Sequence, residues 1–371
     1  MAEPRRHAAA VLGGGAPNGA LMAGALCAIY DHNKTFHEFY TSGAGAVIGL
    51  AFLAARGMTP DQAMRDVVRV GVHDSIYNFV PLAFKTFFKS GPFTVPFRQL
   101  GSRLKLPDAD GSNNVRRLYN DWVDLMVAVA TPTLLTPSSQ ALCSHYPFIN
   151  ESLDFTKLRD FPGKFYMNSY CIETGKTEQF SKERISSEHF CAALSYPFIY
   201  PPTKIGKRHY YEGAAYDPLN LPKTHRLCCK NEIDFLVVVD LLGAYRKALI
   251  RTPRNLLDAY GISILLPVVA MAEKDLTRFM SFHKERRRTA RRKAQARRAM
   301  PDHEHTESHH HDYDVEALTF TVQPSDYPTM CDWSYSNMRR LWDIGYQGGV
   351  KFVEKHGDRL PDHAPGSAAP V

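Results

Sequence analysis

The 371-residue chain has no run of about 18 uninterrupted apolar residues, the length a membrane-spanning helix needs. Its longest candidate, GISILLPVVAMA (261–272), is short and contains Pro267, so it reads as a core helix or an interfacial segment. MAEPRRHAAAVLGGG has a basic start, but the apolar run within it is too short for a secretory leader. Seven cysteines show no metal-ligand spacing, and Cys228 and Cys229 are adjacent, which suits reduced thiols better than an internal bridge. These absences point to a cytoplasmic, soluble protein that could at most sit peripherally on membranes. Neither a metal nor a cofactor is called for.

Excess charge is lacking except in one place. The formal net charge is +7, and the excess sits in KERRRTARRKAQARR (284–298), where nine of fifteen residues are Lys or Arg. The remainder is roughly neutral, which argues against a general nucleic-acid-binding surface, and aromatic residues do not interleave the basic run. On a helix the run would cover most faces. It reads as a solvated helix or disordered insertion between a helix ending near Phe282 and the last strand. Attraction to anionic lipid head groups through Lys284–Arg298 is the sharper alternative. HEHTESHHHDYD (303–314) holds five histidines without a fixed scaffold, which is a poor metal site. Together 283–314 form a basic and histidine-rich insertion.

What the chain does have is apolar material: 44% hydrophobic and 11% aromatic residues, enough for a large core. HAAAVLGGGAPNG (7–19) is a strand ending in a glycine-rich turn, and ALMAGALCAIYD (20–31) repeats apolar residues at helical spacing. FHEFYTSG and AGAVIGLAFLAA repeat that order. Strand, glycine turn and helix twice in sixty residues argue for an α/β fold with a mostly parallel sheet and helices on both faces. FYMNSYCIETGKTEQFS (165–181) reads as a hairpin. EIDFLVVVDLL (232–242) reads as a strand buried on both faces, ALTFTVQPS (317–325) as the last strand, and 336–357 as a closing amphipathic helix. Residues 74–110, rich in Phe and Pro, form a packed insertion or a lid presenting Phe and Lys to lipid. The whole reads as one domain over 1–360, with a Pro/Ala-rich tail after Asp358 (361–371 at least) expected to be disordered.

Three places bear on chemistry. In GGGAPNG (13–19) consecutive glycines let backbone N–H groups approach a ligand at a helix N-terminus, which suits a phosphate, an acyl-transfer oxyanion or simply a tight turn. No G-K-[ST] follows, so it is not a P-loop. In FYTSGAGAVIG the strand-to-helix turn has the form of a nucleophile elbow, which needs small residues two before and two after its apex. Centring on Gly43 puts Thr41 and Gly45 there, whereas centring on Ser42 puts the bulky Tyr40 at the first position. Gly43 therefore takes the apex and Ser42 stays as the alternative nucleophile. In HYYEGAAYDPLNLP (209–222), Glu212 precedes Gly-Ala in a turn, where a carboxylate can orient a base or act as one.

The three places in this order resemble the patatin-like phospholipases, with their glycine-rich oxyanion loop, G-x-S-x-G elbow and downstream D-G-[GA]. The segments AALSYPFIYPP (192–202), YCIETGKTEQFS (170–181) and DIGYQGG (343–349) are similar to the family's flanks, and the resemblance covers roughly 7–355. It implies a three-layer α/β/α domain that takes a lipid or acyl ester. Gly13, Gly14, Gly15 and Ala16 would form the oxyanion loop, Gly43 the nucleophile position and Glu212 the dyad acid position. Here the family's serine is a glycine, its aspartate a glutamate, and its loop reads A-P-N-G. The expectation is a protein of lipid metabolism with lost or impaired acyl hydrolase activity. The alternatives are an active hydrolase using Ser42, Ser195 or Cys191, and a protein that docks on lipid surfaces.

Overall fold

A computed structural model describes residues 7–15, 19–107, 113–239, 252–253, 256–299, 312–320 and 332–363. β1 (Ala8–Leu12) leads to helix α1 (Gly19–Asp31), and β2 (Glu38–Thr41) leads to α2 (Ala44–Ala54), as the doubled pattern predicts. The short β3 (Phe88–Lys89) and β4 (Cys143–Ser144) pair apart from the main sheet. The hairpin forms as β5 (Lys164–Cys171) and β6 (Lys176–Ser181), turning through Gly175 at φ 62°. β7 (Thr203–Ile205), β8 (Arg208–Glu212), β9 (Phe235–Val239) and β10 (Asp314–Leu318) complete the strands.

β10, β9, β1, β2 and β5 lie side by side and parallel, while β6, β7 and β8 join antiparallel. The architecture is thus an α/β fold with a mixed, mostly parallel central sheet. Every residue of β1, β2 and β9 is buried, so both faces of the sheet centre are covered. Helix α1 packs on the closing helix Tyr335–His356 almost backbone to backbone. A Cβ on Gly24 would stand 2.7 Å from Tyr346 N, and one on Gly349 would stand 2.7 Å from Ala25 O. Glycine is what the close approach requires.

Three boundaries differ from the sequence expectation, and one helix is absent from it. The apolar segment 261–272 and the basic run belong to one helix, Leu256–Ala299, which does not stop near Phe282. Residues 283–299 contain no Gly or Pro and are mostly Arg, Lys, Ala and Gln, all good helix formers. The last strand begins at Asp314 rather than Ala317, and 321–325 lie outside the described residues, as does most of the histidine cluster. The chain end does not stop being ordered at Asp358. Lys34 bridges to Asp362, and Thr35 N–H donates to Pro361 O at 3.0 Å; residues 364–371 lie outside the described set. Finally, helix Asn114–Ala130 has no counterpart in the sequence expectation, although its apolar residues recur at helical spacing through Val115, Leu118, Tyr119, Trp122, Leu125, Met126 and Val129. Among the described residues no helix is long and apolar enough to cross a membrane.

Candidate active site

The register of β5 explains how Gly43 and Glu212, 169 positions apart, come to one point. β6 pairs with Tyr166–Cys171 along one edge of β5. On the other edge, β2 covers Lys164–Met167 in parallel and β8 covers Ser169–Cys171 antiparallel. β2 and β8 therefore approach head-on along a single edge. Thr41 ends opposite Met167 and Glu212 opposite Ser169, leaving only Asn168 between them. The turn after β2 and the turn after β8 must meet there.

At the first of these turns Gly43 has φ 50° and ψ −123° and caps α2. That is the left-handed apex of a strained strand-to-helix elbow, and it favours glycine. The flanks hold it closely: Ser42 N–H donates to Leu12 O at 3.0 Å, and Gly45 N–H donates to Ser42 O at 2.9 Å. A Cβ on Gly45 would collide with Leu12 O, so the small residue after the apex is sterically required. A Cβ on Gly43 would collide with Glu212 Oε1 and stand 2.8 Å from Ala214 Cβ. Ser42 is buried, with Oγ 3.4 Å from the carbonyl of Asp217.

Glu212 is fixed from behind by its own N–H, which donates to Ser195 O at 3.0 Å. Desolvation pushes its carboxyl up to about 8, so at neutral pH it is largely a neutral acid. Tyr196 lies close enough to feel this group: burial first, then the Glu212 charge, pushes its phenol up to about 12. Burial, then Cys143 and Glu212, raises Tyr200 as well. A protonated carboxyl can donate a hydrogen bond, but it cannot take a proton from a hydroxyl.

The glycine loop lies against the same two turns. Gly14 N–H donates to Pro218 O at 3.1 Å, and a Cβ on Gly14 would run into Ala214. A Cβ on Gly13 would stand 2.7 Å from Leu219 Cδ2. Gly15 has φ 138°, and Ala16 lies outside the described residues. Gly13, Gly14, Gly43 and Glu212 are thus brought together, with the Gly14 donor already engaged by a backbone carbonyl.

The other candidate nucleophiles are held in structural contacts. Ser195 is fully buried, with Oγ 2.9 Å from Cys191 O, 2.8 Å from Thr203 Oγ1 and 3.1 Å from His145 Nε2. Burial lowers the His145 pKa, and burial with Glu188 pushes the Cys191 thiol up to about 11. Sequence reasoning missed Asn168. It is fully buried between the two strand ends, and among the described residues neither its Oδ1 nor its Nδ2 has a hydrogen-bond partner. An asparagine inside the aromatic strand KFYMNSYC was the signal that could have drawn notice.

Among the described residues no group of His, Cys, Asp and Glu could hold a metal ion. No curated protein matches the sequence. The crystal structure of VipD from Legionella pneumophila is similar over 95% of this chain and 67% of that one, at 12% identity and a TM-score of 0.38. The model of the patatin-like phospholipase family matches residues 10–223. The chain belongs to the patatin-like phospholipase family.

Proposed function

We propose that this protein binds a lipid or acyl ester in the cleft over Gly43 and Glu212 and that its serine-dependent acyl hydrolase chemistry is lost or impaired. One observation supports this above the others: the carboxyl of Glu212 fills the space that a side chain on residue 43 would need. Acyl transfer through a serine requires a hydroxyl at the apex and a base beside it. Here the apex has no side chain, and the adjacent carboxyl is largely protonated at neutral pH. Removing a nucleophile leaves only the residual catalysis of the oxyanion site and binding, several orders of magnitude down. Ser42, the alternative nucleophile, is buried beside Asp217 O.

The basic end of the long helix adds a second contact in this proposal, attraction to an anionic membrane surface through Lys284–Arg298. Lys284 and Arg288 are exposed, whereas Arg287 is engaged by Asp314 at 2.9 Å. A peripheral, cytoplasmic place on membranes fits this surface. The test of the site is covalent labelling: a fluorophosphonate probe should leave the protein unmodified while short acyl esters turn over at background rate. Stoichiometric labelling that disappears in Ser42→Ala would replace this proposal with an active hydrolase.

A further inference from the structure

Helix Asn114–Ala130 is amphipathic in an inverted sense. Its carboxylates point inward: Asp121 pairs with Lys85 at 2.8 Å, and Asp124 with Arg98 at 3.2 Å and Lys105 at 2.8 Å. Its inner apolar residues Leu118 and Leu125 pack on Val72, Ile76 and Phe84. The outer face shows Val115, Tyr119, Trp122, Met126 and Val129, spaced 4-3-4-3 and exposed from 44% at Tyr119 to 75% at Val115. Five such residues on one face, about 21 Å long at 1.5 Å per residue, are not scattered surface hydrophobics. Among the described residues nothing covers this apolar stripe.

Charge decides what could cover it. Residues 75–150 contain seven Lys and Arg and four Asp, and Asp121 and Asp124 are buried and paired with Lys85, Arg98 and Lys105. The balance of the segment is net positive, and Arg103 and Arg116 stand exposed beside the stripe. A second copy of the chain would set like charges against each other and would lack the opposite-charge flanks that pair helices. Trp and Tyr in mid-stripe are poor coiled-coil knobs but are suited to the boundary between head groups and acyl chains. The chain after the helix carries the exposed Leu134 and Leu135, then reaches Leu142, whose N–H donates to Phe198 O at 2.9 Å. Phe198 is itself exposed, at φ 75°, three residues beyond Ser195, which anchors Glu212.

We propose that the outer face of helix Asn114–Ala130 docks in the plane of an anionic lipid bilayer, with Trp122 and Met126 below the head groups. This deepens the proposed function by naming the surface that meets the lipid, and it rests on the cleft's ligand being lipid. Vesicles of non-hydrolysable diether lipids separate the two questions, because docking can then be read with no reference to ester turnover. The full chain should co-sediment with vesicles containing phosphatidylglycerol, and lipids brominated in the acyl chain should quench its tryptophan emission. Trp122→Phe should remove most of that quenching, since Trp342 is buried and Trp333 is half-buried against Phe87, away from the stripe.

Trp122→Glu/Met126→Glu should lower vesicle binding by roughly tenfold or more, the scale of losing a buried apolar side chain. Its melting temperature should not move, because both residues are exposed. Val129→Glu should weaken binding in the same direction, giving a check independent of the tryptophan. Charge reversal at Arg288 and Arg292 should reduce binding without abolishing bromolipid quenching. Unchanged binding in the Trp122/Met126 variant, or absent quenching in the wild type, would overturn the proposal. So would a dimer in sedimentation velocity that the same variant dissociates, which would hand the stripe to a second copy.

Discussion

Glu212 Oε1 lies where a Cβ on Gly43 would have to be. The two positions are therefore complementary: the extra methylene of glutamate over aspartate reaches into the volume that a serine would claim. A change at one position cannot be judged without the other.

Gly43→Ser alone should restore little turnover of short acyl esters, because the new side chain meets the Glu212 carboxyl and the positive φ strains it by about 1–3 kcal/mol. Thermal melts should show that cost. Gly43→Ser with Glu212→Asp should hydrolyse faster than the sum of the single changes predicts, since nucleophile and base act as a unit. Additive rates would show that the two side chains do not share one site.

The raised pKa of Glu212 has a sign that can be measured. In the unfolded chain the carboxyl ionises near 4.5, in the folded protein near 8, so the folded state holds the extra proton between these values. Its contribution is full below pH 4.5 and is lost as pH rises through 8, with a slope of at most about 1.4 kcal/mol per pH unit. Glu212→Gln should flatten this part of the stability profile in denaturant titrations from pH 5 to 9. A profile unchanged by the substitution would place the carboxyl in water.

His283 titrates with the opposite consequence. It is buried on the long helix beside His225, Arg286 and Arg287, and burial, then those cations, lowers its pKa to about 4. Neither ring nitrogen has a hydrogen-bond partner among the described residues. The folded state holds it neutral, so stability is present above pH 6.5 and lost as pH falls toward 4. His283→Leu should reduce that acid sensitivity, read as a smaller drop in melting temperature between pH 7 and 5.

Ser42→Ala should leave ester turnover at its wild-type level. Among the described residues its hydroxyl hydrogen-bonds only the Asp217 carbonyl, at 3.4 Å, so the stability cost should be within about 1 kcal/mol.

Gly24→Val should destabilise by about 1–3 kcal/mol or more, because the crossing of α1 with the closing helix has no room for a side chain. Chemical denaturation would report it as a lower midpoint with an unchanged slope.

The repeated strand, glycine turn and helix, the buried β9 run and the closing helix were legible in the residues, because local period and turn chemistry encode them. So were the order of the three motifs and the fact that their chemical residues had changed. The period of helix Asn114–Ala130 is local, but its orientation is not: pairing of Asp121 and Asp124 with Lys85, Arg98 and Lys105 turns the polar side inward and leaves the apolar side exposed, which only tertiary contacts decide. The end of the long helix was not legible, since a basic run of good helix formers can be coil or helix until packing fixes one end. Whether Glu212 faces Gly43 was decided only by the register along β5. That register brings two strand ends together across Asn168, through non-local pairing that no local pattern specifies.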